Sequence, residues 1–335
     1  MQESLIFVIG PPRSGSTMLQ RMLGSHSAVY THPEPHIITP LAHLGYYANV
    51  DKAPYDHINA KEAISEFVED LPNQEQDYLD ACRAYTDVLY GRMLKNQKDK
   101  TMFLDKTPAY ALVLSFLSKV YPRAKYIVLT RHPLAVLSSY ANSFFEGDYD
   151  AAVAFNDVLG RYVPAMAEFL RTQPVPVHHI RYEDLVSDPE IRMAEIFEFL
   201  GLPNEEGAVD YGKHKHVEKS YGDPKVKQES RPTTKSVNKW AVELAGDARK
   251  LDIARKVISP LDAEDLRIWG YDKETLFDQV GTVSGKALRK DRKWAWNSYR
   301  MRRKIFMILR RNIHTNSFGR AVKRLKYYCD VLLRE

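Results

Sequence analysis

Apolar and polar positions along the chain alternate between two rhythms. Four short runs rich in β-branched and aromatic residues, at 5–9, 101–104, 125–130 and 177–180, predict strands. Helical spacing follows at 17–24, 76–97, 109–120, 134–145, 151–172 and 188–200, and returns at 241–257 and 261–268. Asp188-Pro-Glu190 supplies a cap and a first-turn proline for the 188–200 helix, and Gly201 a stop. Strands that alternate with helices predict an α/β fold, a parallel sheet flanked by helices on both faces. The stretch 204–239 breaks the rhythm. It is rich in Lys, Glu, Asp, Gly, Pro and Ser, and reads as a long irregular loop of the kind that covers sites.

The rhythm changes again near Gly281. In 318–332 the apolar Phe318, Val322, Leu325, Cys329 and Leu332 recur at helical spacing, with Arg320, Lys323, Arg324 and Lys326 mostly off that stripe. Residues 281–335 carry 16 Lys+Arg against 3 Asp+Glu, a net of +13 where the whole chain has +5. The organisation expected is therefore a mildly acidic globular body over 1–280 and a basic helical C-terminal extension over 281–335. An extension of that charge suits phosphates, an anionic membrane surface or an acidic carrier protein. No nucleic-acid reading motif accompanies it. Two cysteines, Cys82 and Cys329, lie far apart and form neither a metal spacing nor a disulfide framework, which fits a reducing compartment. Met1-Gln-Glu-Ser leads directly into an apolar strand without a basic leader, and no run approaches the ~20 apolar residues of a membrane span. The expectation is a cytoplasmic protein, with peripheral attachment to the inner face of a membrane as the role open to the extension.

Gly10-Pro-Pro-Arg-Ser-Gly-Ser-Thr17 lies between the first strand and the first helix. Inward backbone N–H groups and a helix N-terminus make such a loop a phosphate cradle, which gives the fold its P-loop-like character. Arg13 adds charge, and Ser14, Ser16 and Thr17 add hydroxyls around Gly15. A P-loop kinase or nucleotide hydrolase needs Lys before the last Ser/Thr; Ser16 stands there. The 125–130 strand runs into Arg131, with no Asp placed to hold Mg²⁺. The loop thus suits a single 5′ phosphate-type group. Arg131, at a strand's C-terminal end, and Ser139, two helical turns on, form a second anion clamp.

These segments together resemble the sulfotransferases that use 3′-phosphoadenosine-5′-phosphosulfate (PAPS). The family's 5′-phosphosulfate loop is similar to 12–17, its 3′-phosphate motif to 126–131 with Ser139, and a further motif, whose Tyr lies near the nucleotide, to Ile180-Arg-Tyr-Glu-Asp-Leu185. The resemblance spans roughly 4–275. It leans away from the cytosolic phenol and steroid enzymes, which carry Lys where Arg13 stands. It leans toward two other branches. Tyrosylprotein sulfotransferases resemble the chain at Glu34-Pro-His-Ile-Ile38. Bacterial polyketide-synthase sulfotransferase domains resemble it at Pro33-Glu-Pro-His36, Leu104-Asp-Lys-Thr-Pro-Ala-Tyr110 and Arg131-His-Pro133.

The resemblance implies PAPS as donor, PAP as product, no metal, and an acceptor hydroxyl, with an acyl chain, a lipid or another small alcohol, a sugar and a peptide tyrosine all open. It implies Glu34 as catalytic base with His36 sharing or orienting the proton transfer, and Lys106 with Arg13 as cations on the leaving side. Arg13, Ser14, Gly15, Ser16, Thr17, Arg131, Ser139, Tyr182 and Lys239 are the donor-binding residues it implies, Lys239-Trp240 lying where the long loop closes. The acceptor pocket is expected from 36–60 and 204–235. Two readings compete: the P-loop kinase or hydrolase, and a non-catalytic PAP-binding module that docks an anionic partner.

Overall fold

The computed structural model describes residues 1–48, 57–217, 226, 229–283 and 317–332. Five strands, β1 (Leu5–Ile9), β2 (Val29–Pro33), β3 (Met102–Lys106), β4 (Lys125–Thr130) and β5 (Val177–Arg181), form one sheet in the order β2-β3-β1-β4-β5. Every pairing is parallel. β1 is buried along its whole length, as a central parallel strand must be when helices cover both faces. Its side chains divide by the two-residue period of a strand: Leu5, Phe7 and Ile9 enter one core, Ile6 and Val8 the other.

Around the sheet run α1 (Ser16–Gly24), α2 (Ile38–Ala42), α3 (His57–Glu69), α4 (Glu75–Lys95), α5 (Leu114–Val120), α6 (Pro133–Phe144), α7 (Tyr149–Phe155), α8 (Val158–Thr172), α9 (Tyr182–Ser187) and α10 (Pro189–Leu200). Then follow α11 (Lys239–Ala245), α12 (Ala248–Ile258), α13 (Ala263–Trp269), α14 (Asp278–Thr282) and α15 (Ser317–Leu332). Side chains of α4, α5, α6, α8, α11 and α13 fill the core under Phe7, while α1, α9 and α10 fill the one under Val8. Fully burying an aliphatic or aromatic side chain of this kind stabilises the fold by about 1.5–3 kcal/mol.

The four predicted strands are present, and β2 joins them as a fifth. Its sequence, Val-Tyr-Thr-His-Pro, lacks an apolar run because it is an edge strand with only Val29 and Tyr30 buried. Helix α3 also lacks a counterpart in the predicted pattern. Capping breaks two long predicted helices. Asp157 accepts from the Gly160 amide and starts α8 afresh within 151–172, and Asp247 accepts from the Arg249 and Lys250 amides within 241–257. The 109–120 prediction divides into a 3-10 turn, Pro108–Leu112, and α5. Asp188 stands at the start of α10 but makes no side-chain cap bond, so Pro189 at the first turn is what sets that start. The 204–239 stretch holds short 3-10 turns at Glu206–Val209, Tyr211–Lys213 and Thr234–Ser236, with 218–225, 227 and 228 outside the described residues. Val280 and Val283 still pack on the body. Helix α15 matches the 318–332 pattern, whereas the aromatic and basic 294–311 segment lies outside the described residues.

Candidate active site

Parallel strands deliver their C-terminal ends to one edge, and the predicted residues collect there. The 10–17 loop leaves β1, Glu34 follows β2, Lys106 ends β3, Arg131 follows β4 and Tyr182 follows β5. A cavity of about 540 Å³ opens at this edge. Arg13, Gly15, Ser16, Thr17, Arg131, Ser139, Tyr182 and Lys239 all line it, together with Ser236 and Trp240.

The loop is shaped by close approach. A side chain at Gly10 would meet Ser14 Oγ at 2.7 Å and the Leu129 carbonyl at 2.9 Å. Gly15 has φ 98°, and a Cβ there would fall 2.5 Å from the Tyr182 ring. Arg13 takes a left-handed backbone, φ 73°, and its Nε donates to Ser139 Oγ at 3.3 Å. The two predicted anion sites are thereby joined. Ser14 differs from its predicted role: it is fully buried beneath the loop and does not line the cavity, and its Oγ finds no protein partner.

Arg131 is held on several sides. Its guanidinium donates to the Arg13 carbonyl (3.0 Å) and the Ser236 carbonyl (3.1 Å), and lies 4.3 Å over the Tyr182 ring. Its own carbonyl accepts from Trp269 Nε1 at 2.9 Å. Tyr182 and Ser236 exchange a hydroxyl hydrogen bond at 2.7 Å. Trp240 stacks on His132 at 4.2 Å between ring centroids. Burial, then the adjacent Arg131 charge, lowers the His132 pKa to about 3, so the imidazole stays neutral beside the cation. Arg131 Nε is buried without a protein partner. Arg131 lines the cavity, so this unpartnered atom stands where a phosphorylated nucleotide would sit, and the residues present fit such a ligand. On the far wall Glu243 accepts from Ser138 (2.6 Å), Asn142 (2.7 Å) and Lys250 (2.5 Å). Burial pushes this carboxylate up, but those bonds outweigh it and hold the pKa below the usual range.

The chemical groups meet beside the loop. Lys106 Nζ donates to Glu34 Oε1 at 2.5 Å and to Thr17 Oγ1 at 3.3 Å. Lys106 is 1% exposed and Glu34 15%, whereas His36, whose Nε2 stands 3.7 Å from Glu34 Oε2, is 44% exposed. Lys106 therefore pairs with Glu34; the neighbouring Asp105, its other possible partner, turns elsewhere. Glu34 and His36 both have positive φ, 33° and 56°, a conformation that costs a non-glycine residue about 1–3 kcal/mol and persists where the surroundings enforce it.

Asp105 belongs to a group the sequence did not single out. Wholly buried, it accepts from Tyr90 (2.6 Å), Tyr110 (3.0 Å) and Thr107 (3.0 Å). Burial raises its pKa to about 6 despite those bonds and the nearby Lys106. In the sequence it stands out only as part of the Leu104–Tyr110 segment that carries Lys106.

Residues 5–206 match the profile described as Sulfotransferase family. The nodulation protein NoeE of Sinorhizobium fredii is 27% identical over 267 residues, covering 72% of this chain and 60% of that protein. An uncharacterized protein of Aquifex aeolicus is 30% identical over 247 residues, 70% of this chain but 30% of its own length. Protein-tyrosine sulfotransferase 1 of Danio rerio is 27% identical over 281 residues, with 80% and 72% covered. The chain thus spans less than two thirds of the first two relatives. Among solved structures, the sulfotransferase domain from the curacin biosynthetic pathway aligns with a TM-score of 0.50 at 23% identity, over 78% of this chain and 95% of that one, a likeness of fold. The matched segment runs from β1 through α10, more than half of the chain, and carries the 10–17 loop, Glu34, Lys106, Arg131, Ser139 and Tyr182: the chain belongs to the sulfotransferase family.

Proposed function

We propose that this chain transfers the sulfuryl group of PAPS to an acceptor hydroxyl by in-line displacement. The acceptor oxygen forms a bond to sulfur while the bond from sulfur to the 5′-phosphate oxygen breaks, releasing PAP. The acceptor's proton passes to Glu34, with His36 at its side. Lys106 and Arg13 meet the charge that grows on the leaving oxygen. The observation that carries this reading is Lys106 bridging the Glu34 carboxylate and Thr17, a loop residue that lines the nucleotide-sized cavity. Donor oxygens arriving at the loop compete with Glu34 for Lys106, which links donor binding to the position of the carboxylate.

In the same reading, Arg131, Ser139 and Lys239 take the 3′ phosphate, and Tyr182 and Ser236 flank the base. The acceptor is a hydroxyl, whether on an acyl chain, a lipid, a sugar or a peptide tyrosine, and the labelled product identifies which. The test is calorimetry with PAP, adenosine 5′-phosphate and ATP/Mg²⁺, followed by ³⁵S transfer from PAPS to extracts of the host and mass spectrometry of the labelled product. PAP tightest with a labelled alcohol supports the reading. ATP/Mg²⁺ tightest turns it into a kinase or hydrolase, and PAP binding without label transfer into a docking module.

The extension adds attachment to an anionic membrane face. Among the described residues no helix is long and apolar enough to cross a membrane. Exposed Val322, Leu325 and Tyr328 on α15, within a segment of net +13, support surface binding instead. Co-sedimentation with anionic vesicles should need residues 285–335; equal sedimentation without them would remove the idea, and retention on an acidic carrier protein would replace it.

A further inference from the structure

Successive side chains of a strand point to opposite faces, and at the end of β3 this places two charges back to back. Lys106 leaves on the face of Leu104, toward α1 and Glu34. Asp105 leaves on the face of Phe103, among the tyrosines of the other core. Both grip the same turn. Lys106 holds the Glu34 carboxylate directly. Asp105 accepts from the Tyr110 hydroxyl at 3.0 Å, and that hydroxyl accepts from the Ile38 amide at 3.2 Å. The Tyr110 oxygen thus donates to the carboxylate and receives from the backbone, so its proton has only one direction to take. Ile38 lies four residues beyond Glu34 and two beyond His36, just after the positions with φ 33° and 56°. A strained turn needs an anchor on each side, and here the downstream anchor is a buried hydroxyl oriented by a buried carboxylate.

We infer that Tyr110, oriented by Asp105, is a positioning residue for the proton-accepting turn: it fixes the backbone at Ile38 and so holds Glu34 where an acceptor hydroxyl must lie. The inference rests on the reading of Glu34 as base. It adds that base placement is set from the sheet's opposite face, by groups that touch neither donor nor acceptor. An acceptor hydroxyl attacks sulfur productively only when its proton acceptor is in place, and a misplacement of about 1 Å can cost ~100-fold, so loss of this tether falls on turnover rather than on donor affinity.

Tyr90 gives a matched control. It also donates to Asp105, at 2.6 Å, from the same buried cluster, but has no bond to the turn. The experiment compares full-length wild type, Tyr110→Phe, Tyr90→Phe and Glu34→Gln. Three quantities are read: PAP affinity by calorimetry, release of ³⁵S-sulfate from saturating PAPS with water as acceptor, and amide exchange of the 33–38 segment by mass spectrometry. For Tyr110→Phe the expected result is a ~10-fold or greater loss of sulfate release, PAP affinity within about twofold, and faster exchange at Ile38. Tyr90→Phe should stay within about threefold in release and keep wild-type exchange. Equal losses in the two tyrosine variants, or unchanged exchange in Tyr110→Phe, would overturn the inference. Normal release by Glu34→Gln would instead remove Glu34 as base, and the exchange comparison would still decide whether Tyr110 anchors the turn.

Discussion

The two walls of the site are built on different plans. The donor wall is redundant. Arg13, Arg131, Tyr182, Ser236 and the loop backbone cross-link one another, so each group is held from several directions. The chemical wall is spare. Among the described residues it centres on the Lys106–Glu34 ion pair, with His36 3.7 Å from the carboxylate, on a strained turn tied at Thr17 and Ile38. Redundancy suits binding, where many partial contacts sum and tolerate small shifts. A single pair suits proton transfer, where one distance decides the rate. Substitutions should therefore produce steep losses of turnover on one wall and graded losses of affinity on the other.

The sharpest break in that contrast is Glu34→Gln, which keeps an oxygen to accept from Lys106 but removes the proposed base. Sulfuryl transfer should fall ~100-fold or more with PAP affinity within about twofold, by single-turnover kinetics and calorimetry. Lys106→Met should cost ~100-fold in turnover as well. Because it leaves Glu34 partly buried without its cation, a melting curve should also show roughly 3 kcal/mol of lost stability. Arg131→Met tests the other wall. PAP affinity should drop roughly 10–100-fold, the worth of a charge-assisted hydrogen-bonding side chain, while adenosine 5′-phosphate binding changes far less. Equal losses for both nucleotides would mean that Arg131 does not read the 3′ phosphate.

The smallest effect is one of pH. Burial raises the Asp105 pKa to about 6, above the unfolded carboxyl. Below about pH 4 the group is protonated in both states; between there and 6 the folded state binds the extra proton, so its stabilisation fades as pH rises through 6. The stability of wild type relative to Asp105→Asn should therefore improve on going from pH 7 to pH 5, by on the order of 1 kcal/mol. A gap that narrows toward acid pH would show that Asp105 is not held above its ordinary value.

The clustering of the loop, Arg131, Ser139 and Tyr182 was largely legible in the sequence because loops and strand ends announce themselves. The Gly10–Thr17 spacing, the Arg131–Ser139 interval and the Tyr182 motif all lie in local windows, and their side chains meet as the parallel fold requires. Glu34 and Lys106 were legible as residues, through resemblance, but their pairing across 72 positions was not. Strand β2, which brings Glu34 to the edge, hides because an edge strand ending in proline needs no apolar alternation. The tyrosine–aspartate cluster was least legible. Tyr90, Asp105 and Tyr110 look like an ordinary helix residue, the neighbour of Lys106 and a turn aromatic, and only the tertiary fold shows the two tyrosines and Thr107 meeting on the Asp105 carboxylate. Ser14 misled in the other direction, since a hydroxyl in a phosphate loop reads as a donor and here lies under it.

The back-to-back placement of Asp105 and Lys106 also bears on how the chain finds its native pairing. A strand of apolar residues alone tolerates a slip of one position, since both faces of this sheet are greasy. Sliding β3 by one residue would carry a lysine among the tyrosines of one core and a carboxylate against α1 in the other. Two charges would then be stranded at once, so the mispaired arrangement lies well above the native one. The dipeptide at the strand's end thus also sets its register, because the charges penalise the slipped pairing.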